Sequence, residues 1–365
     1  MFRLIAPCVT GVLFVLAAHS FAADLDIKGS TPSIAADGDL VAVVTAEPNS
    51  LACAVSHDGG VTFAAPAPVG KVAEGQMLGM RRGPQIAVGG NTIVIATNNS
   101  KGGRIVAFCS TDAGKSWQGG TPVDNPPGRS SEGLLSMTST RDGFAVVFLE
   151  LVENSMQIGL IQSTDHGKSW QDSRVIYASP AGHVCECCQP TIASNRAGYL
   201  TVMFRNWLDG NRDMYMVTSK DDGATFGKAA KLGSGSWKLD ACPMDGGGLT
   251  YGNADKTQDK AIAKGPLAVF RRESTLYTAR VGEVESKVGP GKSAVIAATA
   301  EGPVLAWEAP TGVTLRVPKS ADLTIAGARA PVLTATSRGV LLAYTTREGS
   351  EDKTEARLVW QAKAR

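Results

Sequence analysis

Residues 181–190 read AGHVCECCQP, which places His183, Cys185, Cys187 and Cys188 within six positions of a chain that has only 7 cysteines in 365 residues. A second run, WKLDACPMDGGG, adds Cys242 and Met244. Thiolates, a thioether and an imidazole make a soft donor set, which selects copper(I) or zinc over magnesium or calcium. In an extended segment Cys185 and Cys187 point the same way, and Cys188 joins them only if the loop bends before Pro190. The Cys-x-Cys-Cys spacing is not that of a zinc finger, and Met77 and Met80 favour copper, with zinc the alternative. Two other readings stand beside this one. The thiols can pair as disulfides that staple their loops, although residues this close in sequence rarely meet bridge geometry, or they can remain free.

The compartment bears on the choice. Arg3, the uncharged apolar stretch from Leu4 to Ala18, and Ser20 and Ala22 at a small-residue cleavage site predict a signal peptide over residues 1–22. Cys8 is then lost, and residues 23–365 form an exported protein, periplasmic or secreted, that retains Cys53, Cys109, Cys185, Cys187, Cys188 and Cys242. In an oxidising compartment an even count reads as disulfides by default. No other segment approaches the roughly 18 apolar residues of a membrane span. The net charge of +2, without a long basic run, argues against nucleic acid as the partner. With 41 glycines and no stretch of apolar residues at helical spacing, the composition predicts tight turns and few helices.

The elements that position these residues show themselves as repeats. SHDGGVTF (56–63), STDAGKSW (110–117), STDHGKSW (163–170) and SKDDGATF (219–226) share the pattern Ser-x-Asp-x-Gly-x-Thr/Ser-Phe/Trp, with serines 54, 53 and 56 residues apart. Asp58, Asp112, Asp165 and Asp221 can accept bonds from amides of their own turn, and the glycine supplies positive φ. Phe63, Trp117, Trp170 and Phe226 pack the turn onto the sheet. Strand patterns such as PSIAADGDLVAVVTA and PQIAVGGNTIVIATN precede the boxes, and three box-less units follow, from GGLTYG onward. Seven such units predict an all-β fold, a single β-propeller domain over 23–365 with seven blades; six is the alternative, since the last two units are short. The final unit lacks an outer strand, which DLDIKGS near the other end can supply. Cys53 and Cys109, three and one residues ahead of their box serines, are expected on the same side of neighbouring blades, as buried thiols or as a disulfide.

These four stretches resemble the Asp-box, or BNR, repeat of sialidases and related propellers, in which the box serves folding and lies away from the active site. In a propeller the first strand of each blade lines the central channel, so the loops leading into those strands face the axis. Here they are GQMLGMRRGP, GRSSEG, GHVCECCQP and WKLDACPMDGGG, for blades 2 to 5. The last two belong to adjacent blades, so Cys185, Cys187 and Cys188 are expected to approach Cys242 and Met244, with His183 at the edge.

The resemblance implies a sialidase-type site as well: three arginines holding a carboxylate, a tyrosine activated by a carboxylate, and an acid for the leaving group. The family's first arginine sits in an Arg-Ile-Pro run, whereas MRRGPQIA sets Gly83 between Arg82 and Pro84. Arg205, Arg212, Arg280, Tyr251 and Tyr277 are further pieces that the sequence does not pair, and for the arginines the plainer reading is a solvated rim.

The leading expectation is an exported propeller with copper held by Cys185, Cys187, Cys188 and Cys242, and with Met244 and His183 as secondary ligands. Arg82 and Arg205 would be the catalytic candidates, placing a small anionic molecule or a protein partner at the axial face, in a metal-handling or oxidative role. An exo-acting glycosidase of sialidase type and a non-catalytic binding platform stapled by disulfides are the alternatives.

Overall fold

The computed structural model describes residues 25–101, 103–252 and 265–362, so the expected signal peptide and Cys8 lie outside the described residues. Seven four-stranded antiparallel sheets follow one another in sequence. Blade 1 is Ser30–Asp37, Leu40–Glu47, Ser50–Ser56 and Ala67–Lys71; blade 2 is Gln85–Gly89, Thr92–Asn99, Arg104–Ser110 and Gln118–Pro122. Blade 3 is Leu135–Ser139, Phe144–Val152, Ser155–Ser163 and Arg174–Tyr177; blade 4 is Thr191–Ser194, Leu200–Arg205, Met214–Ser219 and Ala230–Lys231. Blade 5 is Gly247–Thr250, Leu267–Arg272, Thr275–Ala279 and Ser286–Pro290; blade 6 is Lys292–Thr299, Gly302–Ala309, Gly312–Arg316 and Leu323–Ala326. Blade 7 has Arg329–Ala335, Gly339–Glu348 and Glu351–Gln361, and its fourth strand is Leu25–Lys28, with Leu25 opposite Ala356 and Lys28 opposite Lys353. The ring therefore has seven blades, and Leu25–Lys28, within the DLDIKGS stretch, closes it. No described residue is helical, and among the described residues no helix is long and apolar enough to cross a membrane.

The strand sequences follow from this packing. A second strand is sandwiched between neighbouring blades, so Leu40–Glu47 and Thr92–Asn99 are buried along almost their whole length and are dominated by Val, Ile, Ala and Thr. First strands contact the first strands of both neighbours, including blade 7 with blade 1, and so form the inner wall of the ring. Fourth strands are short edges, largely exposed in blades 1 and 2.

The four boxes fold alike. In each, the serine hydroxyl donates to the aspartate, at 2.7 Å (Ser56), 2.8 Å (Ser110), 2.9 Å (Ser163) and 2.6 Å (Ser219). That serine oxygen accepts the amide of Gly60, Gly114, Gly167 or Gly223. The aspartate accepts both the amide and the hydroxyl of Thr62, Ser116, Ser169 or Thr225. These bonds, that of the Ser116 hydroxyl foremost, hold Asp112 down at about 2.

The aromatics do more than cover their own sheet. Phe63 of blade 1 packs against the core cluster that contains Val41 and Leu341, Trp117 of blade 2 against that with Cys53 and Val55, Trp170 of blade 3 against that with Val94, and Phe226 of blade 4 against that with Leu160. Each box thus seals its blade against the one before. Gly114 shows how tight the seal is: its φ is +86°, and a Cβ there would stand 2.6 Å from Val55 of blade 1.

Cys53 and Cys109 face the same side of their blades but fall in different seams, Cys53 between blades 1 and 2 and Cys109 between blades 2 and 3. Both are free thiols, the first buried and the second half-buried. Burial pushes Cys53 up to about 12.

Candidate functional site

The cysteine loop is anchored on two blades. The Val184 amide donates to Met156 of blade 3 at 2.8 Å, and the Cys185 amide to Arg205 of blade 4 at 3.0 Å. The chain then turns at 186–188, which overrides strand alternation and swings Cys188 back. The Sγ atoms of Cys185 and Cys188 are 3.2 Å apart, whereas Cys187 Sγ lies 3.7 Å from Cys185. Cys187 reaches across to blade 5's lead-in loop and is bonded to Cys242, with Cα atoms 6.2 Å apart. Two adjacent blades therefore do bring their sulfur atoms together, as the repeats imply. Cys187 and Cys242, however, stand here as a disulfide and not as two thiolate ligands.

Cys185 and Cys188 remain buried thiols. The sulfurs of Cys185, Cys187 and Cys188 lie within 4.8 Å of one another, a group that His183 does not join. Instead the His183 ring packs on Trp207, centroids 4.9 Å apart. Met244 and Met80 line the axial cavity, and the Met77 methyl sits beside Gly133.

Arginines surround the sulfurs. Arg212 Nη1 donates to Cys185 Sγ at 3.2 Å; its guanidinium lies 4.5 Å from the Trp207 ring centre, and its Nε donates to Leu239 O at 3.3 Å. The hydrogen bond between the Cys185 and Cys188 sulfurs draws Cys185 down to about 6 against its burial, helped by the Cys187 amide and the charges of Arg212 and Arg205. Cys188 moves the other way: burial, then its ionised neighbour, raises it well above an ordinary thiol.

Arg205 is not a ligand-facing side chain. It is 2% exposed, and its guanidinium is spent on backbone carbonyls: Arg212 O at 2.6 Å, Arg271 O at 2.9 Å and Asp245 O at 3.4 Å. It joins the second strand of blade 4 to blade 5 and cannot place a substrate. Arg271 reinforces the seam, with Nε 3.0 Å from Asp245 Oδ2 and Nη2 donating to Pro243 O at 2.7 Å. The Trp237 ring lies against both guanidiniums, at 5.2 and 5.3 Å.

Arg82 lines the axial cavity of about 480 Å³, but it is bound at Nε to Glu132 O (2.6 Å) and at Nη2 to Glu132 Oε2 (3.0 Å). Its neighbour Arg81 differs. Arg81 Nη2 crosses the channel from blade 2 to Gly247 O of blade 5 at 3.0 Å, its Nε is buried without a partner, and no carboxylate pairs with it among the described residues. None of the residues lining the cavity is a tyrosine. Tyr251 instead bonds Thr201 at 2.6 Å, and Tyr277 lies under Arg272 at 4.2 Å; Arg280 pairs with Glu283. The three-arginine and tyrosine constellation is therefore not assembled around the axis.

Sequence reasoning missed Trp207, Trp237, Asp245 and Arg271, and it assigned Arg212 no sulfur partner. The one signal was the aromatic among arginines in FRNWLDGNRDMY.

A family model described as a BNR repeat-like domain matches residues 92–278. No curated protein sequence matches the chain. Among solved structures, an ulvan-cleaving polysaccharide lyase is similar at 11% identity and TM-score 0.52, covering 92% of this chain and 94% of that one. A leech intramolecular trans-sialidase is similar at 12% and 0.51 (90% and 68%), as is the β-propeller domain of the Trilobed protease from Pyrococcus furiosus at 12% and 0.50 (91% and 98%). The chain spans 66% of the length of a Hadza microbial sialidase that it also matches. At such identities the likeness concerns the fold, which hosts unrelated chemistries.

Proposed function

The chain belongs to the BNR repeat-like family, a sialidase-like propeller fold suited to a glycosidase-type or binding role, and from that premise we propose that it is an exported metal-handling protein. Once the Cys187–Cys242 bond is reduced, Cys185, Cys187 and Cys188 hold a soft metal ion, copper(I) before zinc. The observation that carries this reading is the set of three sulfurs within 4.8 Å of one another, two of them fully buried. Two thiolates on a tetrahedral ion at ~2.3 Å stand about 3.8 Å apart, close to the 3.7 Å between Cys185 and Cys187. Arg212 and Arg205 offset the negative charge that three thiolates would bring into the interior.

The test is elemental analysis of protein reduced by a phosphine, loaded with copper(I) or zinc and passed over a desalting column. The expected result is a single equivalent of copper, lost in Cys185→Ser and Cys188→Ser variants that melt like the parent. Metal-free protein with every thiol still titratable overturns the reading.

A second reading concerns the axial cavity, where Arg81 has no carboxylate partner among the described residues. It supports capture of a small anionic molecule, here without glycoside cleavage, because no tyrosine nucleophile lines the cavity. Hydrolysis of a chromogenic sialoside that is lost in Arg81→Gln or Arg82→Ala would restore the glycosidase instead.

A further inference from the structure

We propose that the surface disulfide Cys187–Cys242 and the buried thiols Cys185 and Cys188 form a thiol–disulfide relay, through which oxidation received at the surface is passed to the interior of the blade 4–5 seam. This goes beyond metal binding and operates in the metal-free protein.

Geometry carries the proposal. Cys242 is exposed and Cys187 half-buried, whereas Cys185 and Cys188 are 0% and 1% exposed. A purely structural bridge has no free thiol against it, and the other free cysteines among the described residues, Cys53 and Cys109, lie in different seams and bond backbone carbonyls, Ala54 O and His166 O. Here a free sulfur stands 3.7 Å from one end of the bridge, with a second free sulfur 3.2 Å behind it. Arg212 Nη1, fixed by Trp207 and Leu239 O, donates to Cys185 Sγ at 3.2 Å and so holds that sulfur in place beside the bridge.

The steps balance without an added reagent. The Cys185 thiolate attacks Cys187 Sγ, and the bond to Cys242 breaks, with Cys242 leaving as a thiolate that carries the electron pair. Cys188 gives its proton to Cys242 and attacks Cys185 Sγ, and Cys187 leaves as the thiolate. The disulfide has moved to Cys185–Cys188, Cys242 has become a thiol, and Cys187 now carries the negative charge as the thiolate. The partner class on the outside is a dithiol or its disulfide, which meets the chain at Cys242.

The experiment uses the folded, chelator-stripped protein under argon without added thiol, alkylated by iodoacetamide and mapped by peptide mass spectrometry. The expected outcome is progressive alkylation of Cys242 together with a Cys185–Cys188 link. In Cys188→Ala, Cys242 is still alkylated, but the link is Cys185–Cys187. In Cys185→Ala, alkylation of Cys242 slows at least about tenfold and the original bond persists. The relay is overturned if Cys242 of the native wild type stays unmodified, or if Cys185→Ala is alkylated as fast as wild type. Failure of copper loading leaves these outcomes unchanged, so the two readings fall separately.

Discussion

The seam between blades 1 and 2 and the seam between blades 4 and 5 join neighbouring sheets by opposite means. In the first, the blade 2 box satisfies Asp112 entirely within its own turn, through Ser110 and Ser116, and presents Ala113, Gly114 and Trp117 to the seam with blade 1. Ser33 Oγ and Asp37 Oδ2 of blade 1 accept the amides of Ile86 and Gly90 of blade 2, and the core of the seam is apolar. Blade 5 has no box. Its seam with blade 4 is crossed by Arg205 on the carbonyls of Asp245 and Arg271, and by the Cys187–Cys242 bond. The core beneath contains Met203, Met214 and Met216, side chains that adapt to irregular space. Where a seam is closed by local hydrogen bonds nothing is left for chemistry; where it is closed by charges and sulfurs from distant parts of the chain, reactive groups are held in place.

Substitutions separate the two modes. Arg205→Met strands three carbonyls in the seam, each worth roughly 1–3 kcal/mol, and should cost about 3 kcal/mol or more in urea denaturation; a loss below about 1 kcal/mol would mean that the arginine does not hold the blades together. Ser110→Ala removes one buried hydroxyl from a box, and is expected to cost about 1–2 kcal/mol by the same measurement.

Acid should touch the boxes more gently. Asp112, Asp165 and Asp221 are held at about 2, below the usual carboxylate value of about 3.9. Their contribution is therefore complete above about pH 4 and is lost as the pH falls through about 2. Because they are exposed the effect is screened, and melting curves recorded downward from pH 5 should show a shallow decline that Asp112→Asn makes shallower. The smallest expected effect is at Cys53, pushed up to about 12 by burial: it should resist alkylation in native protein under conditions that modify Cys242.

How much of this was legible follows from the range of the interactions. The boxes, the seven units and the closing strand could be read because each is written in a few consecutive residues whose bonds close on themselves, as Ser56, Asp58 and Thr62 do. The meeting of Cys187 with Cys242 was readable as a meeting of loops, since the repeat places their blades side by side. The choice of Cys187 over its neighbours was not, because the turn at 186–188 depends on anchors at Met156 and Arg205 that no local pattern encodes. Arg205 looked like a rim residue for the same reason: its partner Arg271 is 66 residues away.

Closure by Leu25–Lys28 also sets a timetable. The segment that completes blade 7 leaves the ribosome first among the described strands, yet the residues it pairs with, Lys353 to Ala356, follow only after the six intervening blades. During synthesis this opening strand must wait, unmatched, until the other strands of the ring have emerged. Closing the circle is thus a late step for the propeller, and contacts so far apart in sequence are slow to form.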